Sequence, residues 1–338
     1  MPNSGNNGNI IVIGGSAGAL EPLKCIVSVL PRDFPATLFV VLHVSAEAPT
    51  FIPQILTKMT GLEVKHPADG EKIEKGVIYV AKPDFHMLVE GNKVPMSRGP
   101  RENRHRPAID PLFRTAARAY GPRVIGLILS GSLDDGATGL TAVKFRGGVT
   151  IVQDPEDALV GQMPQRAMEH SRPDYVLPAD EIGRTIVKLI TSKRAASKRE
   201  GVPMEEKRPR NEKELDVSDL KAPVEGPKNG EPSEFACPEC HGVLWEERDG
   251  ELVLYRCRVG HSYTESALDG EMSQAAEAAL WASLRALSEQ SALLKRLASR
   301  TSESQAARYR DQAAGYDEHC ETIKKILLKS ERAEAAAG

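Results

Sequence analysis

The stretch "NIIVIGGSAGAL", Asn9 to Leu20, decides the fold. Ile10 to Ile13 form a β-branched run that reads as a strand. The run drives into Gly14-Gly15 and Ser16, and a helical stretch is expected near 17–30. Runs of the same kind recur at 37–42, 123–130 and 149–153, with helical stretches near 50–59, 110–120 and 137–145. That alternation predicts an α/β fold, a doubly wound, mostly parallel sheet with helices on both faces. Residues 62–98, with "ADGEKIEKGVIYVAKP" and "VEGNKV", alternate short extended runs with turn residues. They read as a hairpin insertion.

The chain has 338 residues, enough for more than one domain. Apolar residues make up 41% and charged residues 27%, the balance of an ordinary globular protein. No apolar run reaches the roughly 20 residues that span a bilayer. "MPNSGNNGN" at the start lacks the basic and apolar regions of a secretory signal. The expectation is a cytoplasmic protein without membrane insertion. A net charge of −3 calls for no nucleic-acid partner.

Four regions follow along the chain. Residues 9–191 read as the main α/β domain. Residues 192–233 are dense in Lys, Arg, Glu, Pro and Ser and read as a charged flexible linker. Residues 234–264 carry paired cysteines. Residues 270–332 carry two apolar stripes in steps of three and four. One runs through Leu280, Leu284, Leu287, Ser291, Leu294 and Ala298, the other through Tyr309, Ala313, Tyr316, Cys320, Ile323 and Leu327. Such stripes predict a helical hairpin or coiled coil, packing on itself or on a protein partner.

Gly14-Gly15-Ser16-Ala17-Gly18 fits G-x-S-x-G. A serine at a strand-to-helix turn exposes its Oγ above the sheet. By itself the motif fits a tight turn, a nucleophile or a phosphate cradle. The dinucleotide pattern G-x-G-x-x-G fails, because Ser16 replaces its second glycine. A nucleophilic serine needs a base, and the base an orienting acid. His43 ends the second apolar run, and Asp134-Asp135 follow the third. In an open parallel sheet all three strand ends share one edge, where ligands collect.

With these residues in view, the chain resembles the catalytic domain of the chemotaxis protein-glutamate methylesterase (CheB) family over residues 9 to about 190. The markers are "IVIGGSAGALEPL", "VVLHV", "ADGEKIEKGVIYVAKPDFHM", "NRHRPAIDPLFRTAA", "LILSGSLDDGATGL" and "GQMPQRAM". The resemblance implies a Ser-His-Asp triad: Ser16 the nucleophile, His43 the base and then acid, Asp135 the orienting carboxylate. Asp135 is preferred to Asp134 because Gly136-Ala137 follow it, as in the family's "NDGA". Backbone N–H groups at Ala17 and Ser132 are implied as oxyanion donors. The family's "GMGND" reads Gly131-Ser132-Leu133-Asp134-Asp135 here, so Leu133 stands where the pattern has glycine.

The implied activity is demethylation of glutamate methyl esters on chemoreceptor-like proteins, releasing methanol, with glutamine deamidation as a side activity and no catalytic cofactor. The alternative is a catalytically silent adaptor of the same fold that acts through its C-terminal extension. Arg98, Arg101, Arg104 and Arg106 cluster in "SRGPRENRHRPAID", where guanidinium groups suit acidic receptor helices. The family commonly carries a phosphorylation-controlled receiver domain ahead of the catalytic one. Here the resemblance starts near residue 9, so the expectation is control through the C-terminal extension.

In that extension, Cys237 and Cys240 form C-x2-C, followed after residues 241–256 by Cys257 and then His261. Three thiolates and one imidazole suit tetrahedral Zn²⁺. The intervening "LWEERDGELVLYR" reads as a hairpin that joins two knuckles. The expectation is a zinc-ribbon-like unit with a structural ion.

Overall fold

The computed structural model of the chain describes residues 8–44, 50–191, 230–249 and 252–337. Of the linker expected over 192–233, residues 192–229 lie outside the described residues.

The elements run β1 (Ile10–Gly15), α1 (Leu20–Ser28), β2 (Thr37–Leu42), α2 (Ile52–Thr57), β3 (Glu63–Lys65), β4 (Glu71–Lys72), β5 (Val77–Val80), β6 (His86–Met87), β7 (Lys93–Val94) and β8 (Met96–Ser97). Then come α3 (Ile109–Tyr120), β9 (Val124–Ile128), α4 (Ala137–Phe145), β10 (Val149–Gln153), α5 (Gln162–Ser171), β11 (Tyr175–Leu177) and α6 (Ala179–Thr191). The C-terminal part holds β12 (Glu231–Ala236), β13 (Val243–Asp249), β14 (Leu252–Cys257), β15 (Ser262–Thr264), α7 (Glu265–Ala298) and α8 (Glu303–Ala337).

The main sheet has the order β11-β10-β9-β1-β2-β5-β3, and each strand pairs in parallel with its neighbours. Successive side chains of a strand point to opposite faces. Ile10 and Val12 therefore pack with Phe39 and Val41 against α3, α4 and α5. Ile11 and Ile13 pack with Leu38 and Val40 against α1, α2 and α6. A strand buried on both faces must be apolar throughout, which is why β1 and β2 are continuous apolar runs.

The insertion is only partly hairpin. β4 pairs with β7 and β6 with β8, both antiparallel. β3 and β5 instead extend the main sheet in parallel, with Val64 beside Ile78 and Phe39 beside Tyr79. The reason is legible in "VIYV": all four residues of β5 are buried, as a two-faced sheet position demands.

The described residues up to Leu268 form one compact unit, which includes the antiparallel sheet β12-β13-β14-β15. A small core of Leu244, Tyr255, Tyr263, Ala267 and Leu268 closes around Cys237 and Cys257. The second unit, Asp269–Gly338, is a pair of helices. Leu284, Cys320 and Leu327 form its core, flanked by Leu280, Leu287 and Ile323, so the two stripes face each other. Ser291 donates to Asp317 at 2.6 Å within that seam. Among the described residues no helix is long and apolar enough to cross a membrane.

Candidate active site and metal-ligand cluster

In-register parallel pairing sets the site. Gly15 lies beside Leu42, and Gly14 beside Ile128, so β1, β2 and β9 end together. Ser16, His43 and the loop to Asp135 emerge on that one edge. The Ser16 N–H donates to Ser130 O at 2.9 Å, and the His43 N–H to Gly15 O at 3.1 Å. Ser130 Oγ donates to Ala17 O at 2.7 Å, which pins the turn after the serine. Gly18 turns there at a φ of +78°, a conformation that disfavours any residue with a Cβ.

The His43 side chain is only 5% exposed. Its Nε2 is 2.8 Å from Asp135 Oδ2. With the proton on Nε2, the imidazole donates to the carboxylate. Nδ1 is buried and has no hydrogen-bond partner among the described residues. An imidazole oriented this way keeps an unshared lone pair at Nδ1, which is what a general base needs.

Asp135 is fully engaged. Oδ2 also accepts from the Ile109 N–H at 2.7 Å, while Oδ1 accepts from Asn103 Nδ2 at 3.0 Å and the Asp110 N–H at 3.2 Å. Burial works to raise this carboxyl, but the bond and charge of His43 and the Ile109 amide outweigh it and hold it well below the carboxylate range. Asp110 is buried beside it. Burial first, and then the Asp135 charge, push its carboxyl up to about 7. Its Oδ1 caps the next helix, accepting from Gly136 N at 3.1 Å and Gly139 N at 2.6 Å. His105 lies flat on His43, and Asn103 bridges Asp135 and Asp110. Both sit in the "NRHRPAID" stretch that carries the resemblance, but nothing in its local pattern marks either as a neighbour of the site.

Ser132 is exposed on the loop after β9. Leu133 takes a φ of 61°, and its N–H donates to Gln162 Oε1 at 2.8 Å. Asp134 is buried, and burial pushes its carboxyl up while a contact with Thr264 opposes that.

The CheB methylesterase profile matches residues 11–186, just over half of the chain. The chain belongs to the CheB methylesterase family. By that membership it is classed with the protein-glutamate methylesterases, enzymes that need no catalytic cofactor. A relative from Leptospira interrogans is 39% identical over 184 residues, which are 54% of this chain and 95% of its own. The protein-glutamate methylesterase/protein-glutamine glutaminase of Thermotoga maritima is 36% identical over 188 residues, 54% of this chain and 55% of that protein. A Methanosarcina mazei protein of the same name is 34% identical over 190 residues, 52% of its length. The chain thus spans nearly all of the first relative and about half of the other two. The crystal structure of the Thermotoga maritima CheB methylesterase catalytic domain superposes with a TM-score of 0.52 at 36% identity, covering 55% of this chain and all of that domain.

Within this CheB domain the four arginines differ. Arg98 and Arg106 both pair with Asp84, and Arg106 also donates to Gly99 O at 2.8 Å. Arg98 remains 64% exposed and lies over the Phe85 ring. Arg101 is exposed and Arg104 half-buried. His86 donates from Nε2 to Pro100 O at 2.9 Å and accepts at Nδ1 from Ala108 N at 3.3 Å, a structural tie between loops.

Beyond the CheB domain, the ligand atoms of Cys237, Cys240, Cys257 and His261 lie within 4.8 Å of one another. Cys240 Sγ is 3.6 Å from Cys257 Sγ, and His261 Nδ1 is 3.6 Å from Cys237 Sγ and 3.5 Å from Cys257 Sγ. Those are close to the edges of a tetrahedron with bonds of about 2.3 Å to sulfur and about 2.0–2.1 Å to nitrogen. The cluster can hold a metal ion. His261 Nε2 reaches Glu239 Oε2 at 3.3 Å, the outer carboxylate that fixes a ligating imidazole. A hydrogen bond from Cys257 holds the Cys237 thiol down to about 3, and that same bond drives Cys257 up.

Proposed function

We propose that the chain is a serine esterase that demethylates glutamate methyl esters on chemoreceptor-like proteins. The observation that carries this is His43, bonded through Nε2 to Asp135, with Nδ1 buried and without a partner among the described residues, one strand away from Ser16. In this reading His43 Nδ1 takes the proton of Ser16 Oγ as that oxygen attacks the ester carbonyl carbon. The N–H groups of Ala17 and Ser132 are assigned to the oxyanion, and Asp135 stabilises the imidazolium. His43 then returns the proton to the departing methoxide, and methanol leaves. Water, activated by the same base, releases the glutamate and frees Ser16. A glutamine side chain admitted to the site would lose ammonia by the same steps.

The exposed guanidinium groups of Arg98 and Arg101, with Arg104 and Arg106 behind them, are proposed to meet acidic receptor helices. The Cys237, Cys240, Cys257 and His261 cluster is proposed to hold a structural Zn²⁺, and the C-terminal helices to recruit a protein partner. The domain limits expected from sequence belong to this same proposal.

Methanol release from methylated receptor cytoplasmic fragments tests the chemistry, comparing the full chain with Ser16→Ala. Loss of release in the variant is expected. Full hydrolysis by Ser16→Ala would rule the mechanism out, and failure of a fluorophosphonate to label the full chain would favour the silent adaptor.

A further inference from the structure

The loop over residues 100–105 touches two of the three residues assigned to the reaction. Asn103 donates to Asp135 at 3.0 Å, and His105 stacks on His43 with ring centroids 3.5 Å apart. The loop closes as a tight turn, with the Glu102 N–H donating to His105 O at 3.3 Å and the His105 N–H to Glu102 O at 2.9 Å. Asn103 and Arg104 sit at φ 48° and 72°, where L-residues pay in backbone strain. β15 of the Cys3His unit holds this turn from outside. Asn103 N donates to Ser262 O at 2.8 Å, Ser262 N to Arg101 O at 3.3 Å, and Thr264 N to Asn103 Oδ1 at 3.1 Å. The knuckle presses on the same loop. A Cβ on Gly260 would come within 2.8 Å of Pro100 Cγ, so only a residue without one lets the two approach this closely.

Asn103 is buried and every polar group of its side chain is used. One amide proton goes to Asp135, the other to Asp110 at 3.0 Å, and the oxygen is taken by Thr264 N. Asp135, which accepts, and the Thr264 N–H, which donates, together fix which way round the amide points. Without the Thr264 bond the buried amide oxygen loses its donor, and one side of the side chain is no longer held. Beside it, Glu102 is buried in a pair with Arg114 at 2.7 Å and also feels the charge of Arg256 from β14.

We infer that the Cys3His unit is a metal-dependent clamp on the esterase site, and that Asn103 is the positioning residue through which it acts. The clamp rests on the serine-esterase reading for its effect on turnover, and on the geometry alone for its effect on the loop. With zinc bound, β15 is held between Cys257, His261 and α7, so it fixes the loop, the Asn103 amide and the Asp135 carboxylate in turn. With the four ligands released, a core this small cannot hold β15 in place.

The test uses the full chain, with zinc bound and after removal of zinc by a chelator. Amide hydrogen exchange is read across 100–106, with β1 and β2 as internal controls, alongside hydrolysis of a methylated receptor fragment. Chelation is expected to speed exchange at 100–106 by about tenfold or more while β1 and β2 stay protected. The turnover number is expected to fall by a similar factor with KM within about twofold, and added zinc to restore both. Asn103→Ala gives the second arm: zinc retained, kcat lowered, KM held. The clamp is overturned if the chain takes up no zinc, if exchange at 100–106 is unmoved by chelation, if protection is lost equally in β1 and β2, or if Asn103→Ala keeps full kcat. A zinc-loaded chain that hydrolyses no ester would sink the esterase reading instead, and the exchange arm would still decide the clamp.

Discussion

The imidazole of His105 lies flat against that of His43, with centroids 3.5 Å and planes 14° apart. Two rings in such contact cannot both be charged. Burial, then the nearness of His43, pushes His105 down to about 3, with Arg104 and Arg101 adding to the effect and Asp135 opposing it. His105 is therefore a neutral plate against which the working imidazole rests.

A pH dependence follows from that neutrality. The unfolded chain protonates His105 near the ordinary value of 6.5, whereas the folded chain resists until about 3. Between those values the unfolded state binds more protons, so stability falls as pH falls, by at most about 1.4 kcal/mol per pH unit. The buried His86, whose burial also lowers it, contributes in the same direction, so the comparison must be between variants. His105→Phe keeps the stacked ring and removes the titration. Urea unfolding from about pH 6 down to about pH 4 should show a shallower loss of stability in His105→Phe than in the parent. Equal slopes would contradict it.

Leu133 sits in a left-handed turn at φ 61°, where the family pattern has glycine. The substitution has not converted the loop to a conformation that suits leucine. The backbone stays where a glycine would be comfortable, tied by the Leu133 N–H to Gln162. A left-handed L-residue costs roughly 1–2 kcal/mol, and glycine loses roughly 0.5–1 kcal/mol of chain entropy. Leu133→Gly should therefore stabilise the chain by about 0.5–1 kcal/mol in denaturant unfolding, with esterase activity retained. A loss of more than about 1 kcal/mol would mean that the leucine side chain contributes packing that outweighs the strain.

These two positions show what the sequence discloses and what it hides. β2 and β10 are readable to their limits because each is an unbroken run dominated by apolar and β-branched residues. Once parallel strands were expected, His43 and Ser16 had to share an edge. The choice of Asp135 over Asp134 needed the family pattern, because two adjacent carboxylates look alike in sequence. The helix α5 is not legible in the sequence: it opens Gln-Met-Pro, and only Met163, Pro164, Ala167 and Ser171 are buried, too sparse a stripe to read. Asn103 was hidden for another reason. Its partners lie 7, 32 and 161 residues away, and no local periodicity reports contacts of that range.

Gly131 sets the position of Ser16 from below. A Cβ built there would lie 2.9 Å from Ser16 Cβ and 2.9 Å from Met163 Sδ and Cε. The thioether can swing aside. The serine cannot do so freely, because its N–H is bonded to Ser130 O and its carbonyl to Ala19 N. Gly131 is itself fixed between the Val160 carbonyl and the Met163 amide. A Gly131→Ala substitution should therefore displace Ser16, while the surrounding core yields at a cost of about 1–3 kcal/mol. Reactions of this kind lose about 100-fold when a reacting atom is misplaced by about 1 Å. Gly131→Ala is expected to lower kcat by about 10- to 100-fold while the folded chain persists, read from ester hydrolysis beside thermal unfolding. Undiminished kcat in a folded variant would mean that Ser16 is not held where the nucleophile must stand.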